Sequence, residues 1–475
     1  LEKYNILRIT LSDYLHNIIL HILHMSFFLK KSISYLIYSH FSDILLIIEK
    51  GGSYLKKVFA IAFLLILLTN SISFADSLNI SSESAILIDA ETGQVLYEKN
   101  PHKKLHPAST TKILTGILTI ENANLDDIVT VDEEVVYMTK GAHIALEAGE
   151  QLTVKDLLYA LLIESANDAA LALAKHISGS VEEFAKLMNE KAKELGAVES
   201  NFVNPNGLSV ENHLTTAYDL SLIAKYAMKN ETFREIVSNY TYTIPPTNKK
   251  NQERILWSSN KLLYSNDTIT VDGKTVRIKY EGVTGVKTGY TQEAGNCLVA
   301  SAQRGNESLI AVALKSNNIY SDIHKLLDYG FDNFEKVNIA PMDQFVDNIK
   351  VDNGTIPVVA GILGEELSRT IPVNSFDKIS KKVTINDNIT APIEKGDVLG
   401  KVEYFLEDKY LGTVNIVSTL DIDEIPSPTF FEKLLSKWYL ILLFGFILIR
   451  FLIVLNKKNR RRKRRSYYKA HSPYY

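Results

Sequence analysis

The chain has 475 residues, 46% of them apolar and 23% charged, which allows two or three domains and excludes a mainly disordered protein. The formal charge of −3 conceals an asymmetry: residues 456–475 carry nine Lys/Arg and no acid, which leaves −12 for everything before them. A basic tail can serve nucleic acid, but the apolar run directly ahead of it assigns it to a membrane, so no nucleic-acid partner is expected. Cys297 is the only cysteine, which excludes an internal disulfide.

In chain order, Lys56-Lys57, an apolar run over 58–68 and Ser73-Phe74-Ala75 have the three regions of a secretory signal peptide. The expected signal peptide is 55–75, with cleavage after Ala75. Residues 1–54 are apolar without a clear period and read as an upstream extension that is not native, with Leu55 as the start. His21 and His24 within it are not read as a metal site. Segments 84–88 and 94–97 flank Asp89-Ala90-Glu91-Thr92-Gly93 as a hairpin. A helix is expected over 109–120. Two more, over 154–164 and 168–177, are broken at Ser165-Ala166-Asn167. Helix 181–195 closes at Gly196, Asn204-Pro205-Asn206-Gly207 is a turn, and 216–228 is helical. A strand over 283–287, a hairpin of 298–303 with 309–314, and a helix over 322–334 complete the unit. Strands at both ends around a helical middle predict an antiparallel sheet in which the two ends of the chain pair, an α+β domain over 76–336.

From about residue 337 the pattern changes to short Val/Ile-rich segments, such as 382–385, 397–405 and 410–417, set between Gly, Asn and Pro. This predicts a small all-β sandwich over 337–425, a spacer or interaction domain. A linker, 426–437, leads to the apolar run 438–455, interrupted by Gly445 and Arg450. Its 18 residues are enough for a membrane-spanning helix. Trp438 and Tyr439 suit one interface, and Arg450 can snorkel toward the basic flank at the other. The positive-inside rule places the tail, 456–475, in the cytoplasm and the body outside the cell membrane.

Three motifs carry chemistry. Ser-x-x-Lys occurs five times, beginning at Ser53, Ser109, Ser258, Ser375 and Ser466. Ser53 precedes the signal peptide, Ser375 falls in the β domain and Ser466 in the tail, and Ser258-Ser259-Asn260-Lys261 is a decoy. On a helix Ser109 and Lys112 share a face, so the amine reaches the hydroxyl. The lysine can act as a base if burial or a nearby cation lowers its pKa, and Lys287 is the expected cation. Ser165-Ala166-Asn167, between two helices, can present Ser165 as a proton relay and Asn167 as a holder of the substrate amide; a helix cap is the competing reading. Lys287-Thr288-Gly289 is expected to end a strand, with Lys287 and Thr288 facing an anionic terminus and Gly289 leaving room for substrate backbone. Cys297 reads as a buried strand residue.

In that order and setting the motifs resemble those of the low-molecular-mass penicillin-binding proteins, the serine-type D-alanyl-D-alanine carboxypeptidases (peptidase family S11), whose signature is shared with the serine β-lactamases. The likeness extends to Ile88-Asp89-Ala90-Glu91-Thr92-Gly93, His106-Pro107-Ala108-Ser109, Asn204-Pro205-Asn206-Gly207-Leu208 and Ala391-Pro392-Ile393-Glu394-Lys395-Gly396, and covers about residues 80–420. It implies a serine β-lactamase/transpeptidase-like catalytic domain, no metal and no cofactor, a peptidoglycan pentapeptide as substrate and β-lactam antibiotics as inhibitors. Ser109, deprotonated by Lys112, would attack the penultimate D-Ala carbonyl. The Ser109 and Tyr290 N–H groups would form the oxyanion hole, Ser165 would pass a proton to the leaving D-Ala, and water would release the acyl group. Two departures stand out. Members often carry an arginine just before the closing helix, and Asn317-Asn318-Ile319-Tyr320 has none. Residues 267–280, with Asp272-Gly273 at the turn, form an inserted hairpin placed to overhang the cleft. The alternatives are a serine β-lactamase, although no Glu-x-Glu-Leu-Asn segment follows Ser165, and a non-catalytic membrane-tethered wall-binding protein.

Overall fold

The computed structural model describes residues 78–470; the expected signal peptide and the segment before it lie outside the described residues. The body is built on a five-stranded sheet, Val95–Lys99, Ser84–Asp89, Glu307–Ser316, Gly295–Arg304 and Val283–Thr291 in that spatial order. Every pairing is antiparallel, with Ser84 opposite Leu314 and Asp89 opposite Leu309. The first strand and the last hairpin therefore pair across everything between them, as the order of elements requires.

Both faces of the sheet are covered, so the central strands are apolar throughout rather than alternating; all six residues of Ser84–Asp89 are buried. Ile86, Ile88, Ile310 and Val312 face a helical cluster that includes Lys112–Asn122, Asn167–Ser178 and Ala217–Ala227. Leu87 and Leu309 face the opposite helix, Ile319–Asn333, where Gly330 has room for no side chain. The inserted hairpin, Thr268–Val271 with Lys274–Arg277, forms with its turn at Asp272-Gly273. Its contacts run to the helix Ile319–Asn333: Ser321 Oγ donates to Thr270 O at 3.0 Å, Lys325 pairs with Asp272 at 2.8 Å, and His324 Nε2 donates to Ile278 O at 2.9 Å just beyond it. That docking, rather than a free overhang, fixes the insert.

The region after Phe334 is all-β. A five-stranded antiparallel sheet, with Phe345–Lys350 and Ile379–Ile385 at its edges, shares one apolar core with the ribbon Phe334–Ala340/Leu367–Pro372. Polar contacts join this ribbon to the first hairpin of the body: Thr370 Oγ1 donates to Asp89 Oδ2 at 2.6 Å, and Gln94 Nε2 donates to Thr370 O at 2.6 Å. The segment expected as a plain linker contains a short helix, Phe430–Leu435. The apolar run then forms part of one long helix, Trp438–Ala470, which continues through the basic tail. It is long and apolar enough to cross a membrane, with a mean hydropathy of 2.6 over its best window.

Candidate active site

The helix expected from Ser109 starts slightly later. Ala108–Thr111 is a 3-10 turn and the α-helix begins at Lys112. Pro107 enters that turn, and Thr110 Oγ1 closes it by donating to the Pro107 carbonyl at 2.7 Å. The change of helix type keeps Ser109 and Lys112 together, with Lys112 Nζ 2.9 Å from Ser109 Oγ. Gly207, at φ +83°, packs against the same turn; a Cβ there would lie 1.9 Å from the Ala108 carbonyl oxygen. Beneath the turn, buried His213 accepts from the Val203 N–H at Nδ1 (2.9 Å), which leaves Nε2–H to donate to Thr111 Oγ1 at 3.0 Å. Burial, with His106 nearby, pushes the pKa of His213 down to about 4, so it stands neutral.

Lys112 is fully buried at 0% exposure. Its amine has three neighbours: Ser109 Oγ at 2.9 Å, Asn167 Oδ1 at 2.7 Å and the Asn206 carbonyl at 2.6 Å. The orientation of the Asn167 amide is fixed because its Nδ2 donates to Lys140 O at 2.6 Å. Two of the three neighbours can only accept. A neutral amine has two hydrogens and one lone pair, so both hydrogens go to Asn167 and Asn206, and the lone pair faces the Ser109 hydroxyl. Burial first, and the Lys287 cation second, hold Lys112 well below the usual lysine range. The expected cation is present, but burial is the larger cause.

Ser165 sits where the helix Val154–Tyr159 widens into a π turn, Ala160–Glu164, and the chain then turns through a left-handed residue. That residue is Ser165 itself, at φ +66°. Such a conformation is uncommon for a side chain larger than hydrogen, and both it and π turns concentrate at functional sites. The Ala166 N–H reaches Ala160 O at 2.9 Å and the Asn167 N–H reaches Ala142 O at 2.8 Å, which fixes the backbone of the turn. Asn167 starts the next helix, and neither Ser165 nor Asn167 caps it by a side chain; Ala166 occupies the cap position. Asp168 accepts from the Ile144, Leu146 and Ala169 N–H groups and so anchors the overlying segment.

Lys287-Thr288-Gly289 lies inside its strand rather than at the end. The strand continues to Thr291, and Thr288 pairs with Leu298 and Gly289 with Cys297 on the neighbour. The longer pairing follows from the strand Gly295–Arg304, which supplies partners past Gly289. Gly289 is where the strand meets the nucleophile: a Cβ there would be 2.9 Å from Ser109 N and 3.1 Å from Thr110 N. The glycine is thus needed for the strand to approach the serine at all. Lys287 is 1% exposed and donates to the Thr288 carbonyl at 3.0 Å. Burial pushes it down to about 7, with the Glu164 carboxylate acting in the opposite sense. The Tyr290 side chain is exposed at the mouth. Cys297 is buried in its strand, and burial raises its thiol to about 11, which keeps it protonated.

The fold brings the three motifs together, with Asn167 Oδ1 2.7 Å from Lys112 Nζ and Gly289 packed on Ser109 N, and adds residues the sequence did not point out. The Asn206 carbonyl is a main-chain group and carries no signal, although its turn is recognisable. Ser259, part of the decoy Ser258-Ser259-Asn260-Lys261, lies 2.6 Å from Thr288 through its hydroxyl. Lys261 of that segment pairs with Asp267, and Ser258 is buried with its oxygen accepting from Asn260 N, so the segment forms no second nucleophile.

A family model described as D-alanyl-D-alanine carboxypeptidase matches residues 71–318, and one described as the C-terminal domain of penicillin-binding protein 5 matches 334–424. The D-alanyl-D-alanine carboxypeptidase DacF of Bacillus subtilis is 36% identical over 368 residues, 75% of this chain and 90% of that protein. DacC of Escherichia coli is 34% identical, over 73% of this chain and 85% of its own length. Among solved structures, penicillin-binding protein 5 of Haemophilus influenzae superposes with a TM-score of 0.60 at 28% identity, over 73% of this chain and 98% of that one.

Proposed function

The chain belongs to the D-alanyl-D-alanine carboxypeptidase family, and from that premise we propose the role of each residue in the cleft. The reaction is hydrolysis of a terminal D-alanyl-D-alanine bond. Ser109 is the nucleophile and neutral Lys112 its base: the lone pair that Asn167 and Asn206 leave facing Ser109 takes the hydroxyl proton as the oxygen attacks the penultimate D-Ala carbonyl. That three-way coordination of one buried amine is the observation that carries the assignment. The carbonyl oxygen, negative in the tetrahedral intermediate, is received by the Ser109 and Tyr290 N–H groups, which Gly289 allows to come together.

Ser165, in its left-handed turn two residues before Asn167, passes the proton from Lys112 to the departing D-Ala nitrogen. The C–N bond breaks and an ester on Ser109 remains. Asn167 positions both Lys112 and the substrate amide. Lys287 and Thr288 hold the terminal carboxylate. A water molecule, deprotonated by the same amine, then attacks the ester, and Ser109 regains its proton. A β-lactam, whose strained amide and carboxylate fit the same groups, acylates Ser109.

The chemistry belongs outside the cell membrane. The helix Trp438–Ala470 would anchor the enzyme, with the cations from Lys457 to Arg465 on the cytoplasmic side. The detergent-solubilised full chain should release free D-alanine from a peptidoglycan pentapeptide and become labelled by fluorescent penicillin. Ser109→Ala should abolish both, and Lys112→Ala should lower turnover by about 10⁴-fold or more, as removal of a member of a catalytic unit does. Penicillin labelling that persists in Ser109→Ala would overturn the nucleophile assignment.

A further inference from the structure

The tripeptide Trp257–Ser258–Ser259 connects the two walls of the cleft. The Trp257 N–H donates to Glu164 Oε2 at 2.8 Å, and the Ser259 N–H donates to the Ile163 carbonyl at 3.0 Å. Both acceptors directly precede Ser165, on the wall that carries the proton relay. The Ser258 N–H is tied to Tyr240 O at 2.8 Å, so the backbone of the tripeptide is held throughout. From this fixed base the Ser259 hydroxyl crosses to the other wall and lies 2.6 Å from Thr288 Oγ1.

Two hydroxyls at that distance share one proton between their oxygens: one donates, and the other accepts while keeping its own proton free. If Thr288 donates to Ser259, it has no proton for a substrate. If Ser259 donates to Thr288, the Thr288 proton points outward and is strengthened as a donor by the bond its oxygen accepts. An anion at Thr288 selects the second arrangement. Residues 317–320 contain no cation, which gives the directed hydroxyl more weight beside Lys287.

We propose that Ser259 is a positioning residue for the substrate's terminal carboxylate, donating to Thr288 Oγ1 so that the Thr288 proton faces the anion; this rests on Lys287 and Thr288 forming the carboxylate grip. Ser259 acts through Thr288 and takes no part in bond making. Its backbone ties order the tripeptide in the free enzyme, so the hydroxyl is oriented before substrate arrives.

The test uses the solubilised full chain and two peptides ending in D-Ala-D-Ala, one with a free carboxylate and one with a carboxamide. In Ser259→Ala, KM for the acid should rise about tenfold, the scale of a hydrogen bond to a charged group, with kcat changed less than about twofold. Hydrolysis of the carboxamide should stay as in the parent, and Ser259→Thr, which restores the hydroxyl, should restore KM. Equal losses on both peptides, or no loss on either, would overturn the proposal. Thr288→Val run in parallel separates the two levels. If it lowers discrimination between the peptides while Ser259→Ala does not, only the role of Ser259 falls. If Thr288→Val leaves discrimination intact, the carboxylate grip falls and Ser259 with it.

Discussion

The body and the β region are each organised around five antiparallel strands, yet they bury different chemistry. Among the described residues, the body buries Asp89, Lys112, Lys287, Glu150, Asp156, Asp168, His213, Asp219, Asp322 and His324. The β region after Phe334 buries no charged side chain; its buried polar residues are Thr370, Ser375 and Ser418. Removing an ionisable group from water costs several kcal/mol unless it is paired or neutralised. The body carries that cost where acyl transfer needs a base of lowered pKa, and meets much of it with main-chain hydrogen bonds. Asp322, for instance, accepts from the N–H and hydroxyl groups of Ser82. The β region has apolar packing to maintain and no such expenditure. Stability and catalysis should therefore be tightly coupled in one region and separable in the other.

The largest expected effect comes from Gly207→Ala. The residue has φ +83°, and its Cβ would fall 1.9 Å from the Ala108 carbonyl oxygen, a backbone atom that cannot move without displacing Ser109. Loss of about 4 kcal/mol or more of stability is expected, together with penicillin labelling. Chemical denaturation and gel labelling read the two. In contrast, Ile416→Ala, at a fully buried site in the β sheet, should cost about 3 kcal/mol and leave kcat/KM of the folded fraction unchanged. A fall in kcat/KM with Ile416→Ala would break the contrast.

Acid sharpens it. His213 is buried with a pKa near 4, whereas the unfolded chain titrates near the ordinary 6.5. Between those values the unfolded state binds more protons, so stability rises with pH across this window: the contribution is fully present above about 6.5 and is lost as pH drops to about 4. The shift corresponds to about 3 kcal/mol. His213→Gln, which can keep a donor toward Thr111, should flatten the stability profile between pH 6.5 and 4 as measured by urea midpoints. An unchanged profile would mean that His213 does not set the acid limit.

How much of this could be read from the chain follows from what each feature depends on. Ser109-Thr110-Thr111-Lys112 was legible because local spacing sets its geometry, and the outer hairpins because turn residues punctuate them. Ser165 was legible as a break but not as a left-handed residue after a π turn, because that shape depends on the packing of residues 142 and 160 around it. The main-chain acceptor at Asn206 has no side-chain signature. The decoy reading of Ser258-Ser259-Asn260-Lys261 stands for the nucleophile, but Ser-x-x-Lys spacing says nothing of the contact between Ser259 and Thr288, 29 positions away. The end of the Lys-Thr-Gly strand was placed early because the polar run after Gly289 looks like a turn, whereas pairing to Asn296 and Gly295 continues the ladder.

The smallest expected effect concerns Glu164, and it tests whether the charge balance of the body is tuned from outside the motifs. Lys287 is pushed down to about 7 by burial, and the Glu164 carboxylate opposes that push. In the free enzyme Lys287 must be protonated to attract a carboxylate, so kcat/KM should fall as pH rises past about 7. The lower limb reports Lys112, which must be neutral to act. Glu164→Gln keeps an oxygen to accept the Trp257 N–H but removes the negative charge that raises Lys287, so the upper limb should move to lower pH. Lys287 stays protonated on the lower limb in both proteins, so that limb should hold its place and the active window should narrow from its upper side. At saturating substrate the bound carboxylate replaces the lost field, so kcat should move less than kcat/KM. An upper limb that stays in place in Glu164→Gln would show that the field of this carboxylate does not reach the strand, and that burial alone sets the charge of Lys287.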